Sequence, residues 1–96
     1  MKVKFTWDPW KSEWNLKHRY FSFEYAEQVF YDTHVRFKED RVDAEGRERI
    51  HAVGMVEGRV YLVVFVEETD EQEIRYHIIS ARLAEPREER FYFEGD

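Results

Sequence analysis

The chain has 96 residues, of which 43% are hydrophobic and 18% aromatic, a length that supports one hydrophobic core but not two. The absence of cysteine excludes a disulfide framework and a thiolate zinc site, and the net charge of −6 argues against nucleic-acid binding through a general excess of cations. The longest apolar run, Val60 to Val66, is far shorter than the ~20 residues that cross a bilayer. We therefore expect a single domain over residues 1–96, cytoplasmic and without a membrane segment.

The N-terminal segment predicts a strand followed by a helix. Residues Lys2 to Trp7 alternate polar and apolar side chains, a period-two pattern typical of a half-buried strand. Asp8 and Pro9 then indicate a helix start, because a capping carboxylate precedes a proline that needs no N–H at the first helical position. This helix is expected to end near Arg19. Its packed face is expected to carry Trp10 and Trp14, and its polar face Lys11, Asn15 and His18.

The next segment predicts a second helix, a short strand and a loop. Ser22 is a candidate N-cap, and apolar residues at helical spacing predict a helix from Phe23 to Tyr31. A short strand is expected from His34 to Lys38. The stretch from Glu39 to Glu48 is charged and has no apolar period, which predicts a solvated, mobile loop.

The C-terminal half predicts a meander and a final helix. Short polar turns separate three β-rich runs, Arg49–Met55, Arg59–Glu67 and Ile74–Arg82, and the middle run is apolar on both faces, as a central strand should be. Pro86 opens a last helix. The order β-α-α-β-β-β-β-α predicts an α+β fold with helices packed on a twisted, mostly antiparallel sheet and with the N-terminal strand beside the meander. The last helix is expected to carry Glu88 and Glu89 in its first turn and to turn Phe91 toward the body.

Three separated blocks of the sequence form one recurring pattern: an N-terminal Phe-x-Trp-Asp with a helical Lys and Asn, a middle Glu-Arg followed by Gly and Gly-Arg-Val, and a terminal Ile-Ile-Ser-Ala-Arg. With these blocks in one unbroken order over roughly residues 3 to 92, the chain resembles the BrnT toxins of bacterial toxin–antitoxin pairs. Two positions depart from the family pattern, since Arg19 stands where the family usually has His and His77 where it usually has Arg. The matching residues are Phe5, Trp7, Asp8, Lys11, Asn15, Ser22, Phe23, Glu24, Ala26, Val29, Phe30, Glu48, Arg49, Gly54, Gly58, Arg59, Val60, Ile78, Ile79, Ser80, Ala81, Arg82, Glu88 and Tyr92.

The resemblance implies a RelE-like fold and a metal-independent endoribonuclease that cleaves RNA and inhibits translation. It also implies a co-encoded BrnA-like antitoxin that binds the toxin and represses the shared promoter, so that DNA is bound only through the antitoxin. No cofactor or metal is expected, because His34, His51 and Asp32 lack metal-ligand spacing. The departures at Arg19 and His77 keep a second interpretation open, a catalytically inactive RelE-fold binding module that acts through its partner.

Metal-independent RNA cleavage needs a base for the 2′-hydroxyl, an acid for the leaving oxygen and cations for the phosphate. Arg75 and His77 are two residues apart on one predicted strand and therefore share a face, and Arg49 and His51 repeat this arrangement on another strand. The alternative is an uncovered sheet face that is simply polar. The predicted catalytic residues are Arg82, His77, Arg75 and Arg49, with Glu48 as a candidate base.

The other candidate residues also have structural alternatives. Arg82 either belongs to the site or forms an ion pair with Glu88 or Glu85. Lys11 is expected to contact RNA phosphates unless it lies on a solvated helix face, and core packing is the stronger interpretation for Trp7. The predicted substrate-binding residues are Lys11 for phosphates and Trp7 and Tyr92 for stacking on bases.

Trp10 and Trp14 supply more aromatic surface than one helix face needs for packing within the chain. We therefore expect the first helix to form part of the surface that the antitoxin covers. The sequence also leaves a homodimer open.

Overall fold

The computed structural model describes residues 2–95, which contain three α-helices, one 3₁₀ helix and five strands. The α+β class expected from the sequence is confirmed. No helix in this part of the chain has both the length and the apolar character needed to cross a membrane. In chain order the elements are β1 (Val3–Trp7), α1 (Pro9–Arg19), α2 (Phe23–Ala26), the 3₁₀ helix (Glu27–Tyr31), β2 (Arg36–Val42), β3 (Glu48–Val56), β4 (Arg59–Glu67), β5 (Ile74–Leu83) and α3 (Pro86–Glu94).

The strands form one mixed sheet in the order β1-β5-β4-β3-β2. The antiparallel pairing of β3, β4 and β5 confirms the predicted meander, and Glu57 and Gly58 make the tight β3–β4 turn at positive φ. β2 adds a further antiparallel strand beside β3. β1 lies beside the meander as expected, but it runs parallel to β5, so the prediction of a mostly antiparallel sheet is corrected at this edge. No tight turn links β1 to β5, and the long intervening chain permits either direction.

α1 packs through Asn15, a residue of its predicted polar face, and leaves His18 of the same face exposed. Asn15 is completely buried, whereas Trp10 and Trp14 are 64% and 44% exposed. The Asn15 side-chain amide donates to the Phe21 carbonyl at 2.8 Å, and the Ser12 hydroxyl accepts from the backbone N–H of Phe23 at 2.9 Å. These short polar side chains bind the backbone of the segment that leads into α2. The tryptophans therefore lie on the side of α1 that faces solvent. The prediction that Trp10 and Trp14 form the packed face was wrong.

The caps of the first two helices follow the sequence only in part. Pro9 opens α1 as predicted, but the Asp8 side chain makes no capping hydrogen bond. Ser22 caps α2 by accepting from the backbone N–H of Tyr25 at 3.1 Å. The single helix predicted from Phe23 to Tyr31 is divided into α2 and the tighter 3₁₀ helix.

The 3₁₀ helix lies very close to β3 at Gly54. A Cβ built on Gly54 would approach both Cγ1 and the carbonyl oxygen of Val29 to 2.9 Å. Glycine is therefore required at this position for contact between the two elements, and Val29 is completely buried there.

β2 corrects the predicted loop from Glu39 to Glu48. The strand extends to Val42, all seven of its residues are exposed, and only residues 43–47 form the turn to β3. An exposed edge strand has no apolar face to bury, so its sequence carries no period-two signal. A bulge at Asp40, between Glu39 and Arg41, interrupts the pairing with β3 and protects this edge from further strand addition.

The two sides of the sheet carry separate apolar clusters. On one side, which we call the α1 face, side chains such as Val63, Phe65 and Ile78 pack beneath α1, α2 and the 3₁₀ helix. On the other side, the α3 face, Val53 and Leu62 pack against α3. β4 is buried on both sides, as predicted for a central strand. Because α3 has only nine residues, part of the α3 face extends beyond it.

Candidate active site

A row of side chains crosses the part of the α3 face that α3 does not cover. The strand register pairs Arg49 with Val66 and Val66 with His77, so the arginine and the histidine flank the valine. Neighbouring strands are ~4.8 Å apart, which places the Arg49 and His77 backbones ~10 Å from each other. Val66 is 1% exposed and forms a small apolar floor between two longer side chains.

Two further basic side chains adjoin this row. Arg75 lies two residues before His77 on β5 and shares its face, and His51 lies two residues after Arg49 on β3. The strands and side-chain faces predicted for all four groups therefore meet on one side of the sheet. We call Arg49, His51, Arg75 and His77 the basic cluster.

A pocket of about 270 Å³ opens between this part of the sheet and α3. Lys38 of β2, which is paired with His51 across the strands, contributes one cation to its wall, and Arg87 of α3 contributes a second. Asp40 and Glu88 also line it. The pocket is thus a polar groove that borders the basic cluster on its His51 side.

His77 is oriented by a hydrogen bond from the neighbouring parallel strand. The register pairs it with Thr6, and the Thr6 Oγ1 atom lies 2.8 Å from His77 Nδ1. This contact occupies the Nδ1 side of the ring and leaves Nε2 as the nitrogen that can exchange a proton with a bound molecule. Sequence reasoning missed Thr6, because nothing in the sequence indicates a parallel partner for β5.

Arg49 is held by a carboxylate from the β2–β3 turn. Its Nε atom lies 3.6 Å from Asp43 Oδ2, and the Asp43 side chain is only 6% exposed. The backbone N–H groups of Arg47 and Glu45 each donate to Asp43 at 2.9 Å. These bonds, that from Arg47 most of all, lower the pKa of the Asp43 carboxyl below its ordinary value. Asp43 therefore stays ionised next to the Arg49 guanidinium, whose Nε atom has no hydrogen-bond partner among the described residues.

Arg75 and His51 have looser carboxylate partners. Arg75 Nη1 lies 3.4 Å from Asp70 and 3.3 Å from Glu73, and His51 Nε2 lies 3.3 Å from Asp40. The backbone N–H of Gln72, followed by that of Glu73, lowers the pKa of Asp70. Asp70 and Asp40 are at least one-third exposed, so solvent screens their contacts and an incoming phosphate can compete with them, whereas the Glu73 oxygen that faces Arg75 is buried.

Arg82 forms the ion pair that the sequence analysis gave as its structural alternative. Its two terminal nitrogens donate to the two Glu88 oxygens at 2.8 Å each, and Glu85 lies 3.7 Å away. Burial raises the pKa of Glu88, but the hydrogen bonds from Arg82 and from the Glu85 backbone outweigh it, and the pKa of Glu88 is lowered overall. The same bond to Glu88 raises the pKa of Arg82. The bidentate pair joins β5 to the first turn of α3.

The remaining predicted site residues lie away from the basic cluster. Glu48 precedes Arg49 on β3, so its exposed side chain points to the opposite side of the sheet. Trp7 is on the α1 face, where it makes an edge-on contact with Phe23 at 6.4 Å. Lys11 lies on α1.

Tyr92 lies on the buried side of α3. Its hydroxyl donates to Asp32 Oδ2 at 2.6 Å, and burial together with this bond raises the pKa of the phenol to about 12. It has no exposed ring face of the kind that base stacking requires, because only 8% of the residue is exposed. Residues 2–95 also contain no group of three or more His, Cys, Asp or Glu side chains placed to hold a metal ion.

Comparison with known proteins identifies one family. The family described as the ribonuclease toxin, BrnT, of type II toxin-antitoxin system matches residues 7–88, most of the chain. The match includes β1 at Trp7 and the first turn of α3, and hence every residue of the basic cluster. No curated protein matches the sequence. The chain therefore belongs to the BrnT family of ribonuclease toxins from type II toxin–antitoxin systems.

Proposed function

We propose that this chain is an endoribonuclease that cleaves RNA without a metal ion and so inhibits translation, and that the basic cluster is its active site. The observation that carries the proposal is the row in which Arg49 and His77 flank the low floor at Val66, with Arg75 and His51 beside it. In support of the proposal, Arg49 and His77 stand on either side of an open part of the sheet, with His51 beyond one end of the row and Arg75 beyond the other, and these are the cation and imidazole types that RNA cleavage requires.

The chemistry divides among these side chains by type. His77 Nε2 removes the proton of the ribose 2′-hydroxyl, while its Nδ1–H donates to Thr6 Oγ1 and holds the ring. The 2′-oxygen then attacks the adjacent phosphorus, and the bond to the 5′-oxygen breaks to give a 2′,3′-cyclic phosphate. His51 donates the proton that the leaving oxygen needs. Arg49 and Arg75 stabilise the charge that develops on the phosphate oxygens.

The carboxylate partners explain how an acidic protein can present such a site. In the free chain, Asp43, Asp70 and Asp40 neutralise and orient the cationic groups. RNA phosphate replaces the exposed carboxylates around Arg75 and His51, whereas the buried Asp43 keeps its hold on Arg49. Glu48 has no part in this scheme, because it lies on the other side of the sheet.

The proposed partner and cellular role of this chain follow from its membership of a toxin–antitoxin family. A type II system supplies a protein antitoxin, and we propose a BrnA-like antitoxin that contacts DNA on behalf of the complex. We also propose a RelE-like fold and action in the cytoplasm, where the RNA substrate is translated. A homodimer of the free chain remains a prediction from the sequence.

The test is RNA cleavage in the presence of EDTA. We expect the wild-type chain to cut single-stranded RNA into products that end in a 2′,3′-cyclic phosphate. His77→Ala should lower the rate by at least 100-fold, because a positioned general base contributes about that much. His34→Ala is the matched control, since His34 is an exposed histidine outside the basic cluster, and it should retain the wild-type rate.

A second candidate function is favoured by one observation. Arg49, Arg75 and Arg82 each have a carboxylate partner in the free chain, as a purely structural set of arginines would. A chain that leaves RNA intact in the same assay, yet binds its antitoxin tightly, would be a non-catalytic binding module and would refute the proposed nuclease.

A further inference from the structure

Two adjoining pockets follow the exposed side of α1. Trp10 and Trp14 form the rim of the first, which has a volume of about 250 Å³ and extends to Ile79 on β5. Leu16 and Leu83 line the second. Arg19 lines both pockets and joins them into one continuous area, which we call the α1 surface.

The α1 surface leaves large apolar side chains in solvent. Trp10 is 64% exposed, Leu16 53%, Tyr20 86% and Leu83 47%. The three residues from α1 and its C-terminal cap belong to a helix that packs against the body through Ser12 and Asn15 instead. Contiguous exposed apolar residues on a small domain are typical of a binding surface.

The charge of this surface is opposite to that of the whole chain. Lys11, Arg19 and Arg59 line the two pockets, and no Asp or Glu occurs among the residues that line them. The chain as a whole has 21 Asp and Glu against 15 Lys and Arg. A partner with carboxylates beside apolar side chains would therefore complement this surface.

A buried hydrogen-bond acceptor in the first pocket lacks a partner. Asn15 lines the pocket and is 0% exposed, and its amide N–H group is used by the Phe21 carbonyl. Its Oδ1 atom has no hydrogen-bond partner among the described residues. A buried unsatisfied oxygen is costly, and a donor from a bound partner would remove that cost.

The lining favours a protein over RNA as the occupant. The Trp14 ring already stacks on His18 at 4.5 Å, and the Arg19 guanidinium lies 5.2 Å from its centroid, so this ring is engaged within the chain. Leu16, Ile79 and Leu83 add aliphatic surface, which packs against protein side chains and provides no stacking platform for bases.

We propose that the α1 surface binds the protein antitoxin, through a segment that carries carboxylates next to apolar side chains and donates one hydrogen bond to Asn15 Oδ1. The inference rests on the toxin function proposed above. The α1 surface and the basic cluster lie on opposite faces of the sheet, so antitoxin docking and RNA cleavage are separable by mutation.

The test measures the affinity of the full chain for the full-length antitoxin encoded with it, by titration calorimetry. Trp10→Ser removes an exposed anchor and Arg59→Glu reverses a charge, and each should raise the Kd at least tenfold. Phe93→Ser and Arg90→Glu are the controls, since both residues are exposed on α3, and each should leave the Kd within threefold of wild type.

Three results would overturn the assignment. The first is an unchanged Kd in both α1-surface variants. The second is weaker RNA binding by these variants with antitoxin affinity retained, which would make the surface an RNA site. The third is a free dimer that Trp10→Ser converts to a monomer, which would make a second copy the occupant. An inactive wild-type nuclease would instead refute only the proposed catalysis and leave the affinity pattern intact.

Discussion

His77 owes its orientation to a single hydrogen bond that the sheet topology supplies. The parallel pairing of β1 with β5 sets Thr6 directly beside it, and the 2.8 Å contact to Nδ1 turns Nε2 away from β1. A histidine with one nitrogen fixed in this way is held in one ring orientation, which a general base requires.

Replacing Thr6 with valine tests this positioning role. Valine keeps the shape and the strand preference of threonine but removes the hydroxyl, so the ring loses a bond worth about 1 kcal/mol. We expect kcat for RNA cleavage to fall about fivefold with KM unchanged within twofold, because that free energy is lost in the transition state.

Two variants control for a merely structural effect. Thr6→Ser restores the hydroxyl and should recover most of kcat, and Thr33→Val, at an exposed threonine, should change neither constant. A wild-type kcat in Thr6→Val would show that His77 is not oriented by this contact.

At the scale of elements, hydrogen bonds near both ends of α3 hold this helix against the body, on either side of its apolar contacts with Val53 and Leu62. Arg82 and Glu88 form the bidentate pair at one end, and at the other the Tyr92 hydroxyl donates to Asp32 while Arg36 donates to the Tyr92 carbonyl at 2.9 Å. These contacts hold α3 in place as one wall of the pocket next to the basic cluster.

Arg82→Ala should therefore act on stability and not on chemistry. It leaves the nearly buried Glu88 carboxylate without its main partner, which should lower the free energy of unfolding by about 2 kcal/mol. Denaturant unfolding measures the loss, and Arg90→Ala, at an exposed arginine of α3, should change it by less than about 0.5 kcal/mol.

The pair also gives this loss a pH dependence. Because the folded pKa of Glu88 is depressed, its stabilisation is present above the ordinary value of 4.5 and disappears as the pH falls through the folded value. The difference between wild type and Arg82→Ala should shrink over that range. A folded variant with wild-type stability and a 100-fold loss of cleavage would instead return Arg82 to the catalytic set.

The elements that the sequence predicted well are those with a buried face. β3, β4 and β5 carry apolar signals strong enough to give their order and pairing, and from these strands the shared face of the basic cluster follows. Beyond Lys38 the sequence predicts a loop where β2 continues, because an exposed edge strand has no hydrophobic period. Thr6 could not be found either, since local sequence does not specify which distant strand pairs with β1.

The prediction of which face of α1 packs against the body was wrong for a different reason. Tryptophan normally marks the packed face of a helix, but here Ser12 and Asn15 make the contacts that close the α1–α2 connection. The face with the exposed tryptophans is the one assigned to the antitoxin, in agreement with the expectation from their excess aromatic surface. A local conflict between hydrophobicity and burial of this kind is expected where a surface serves binding.

On the scale of the whole molecule, the two proposed surfaces divide the partners between the two sides of the sheet. The basic cluster lies on the α3 face, and the apolar, cationic α1 surface lies with α1 on the other side. An overall charge of −6 repels RNA from most of the protein, so the local cations determine where RNA binds.

The most direct test of this account is to map where RNA binds, by following backbone amide NMR signals during titration with a 2′-O-methylated RNA of mixed sequence, which cannot be cleaved. We predict the largest shifts at Arg49, His51, Arg75 and His77 and small ones along α1. Shifts confined to α1, or no shifts on β3 and β5 at saturating RNA, would contradict the assignment of the basic cluster as the ribonuclease site.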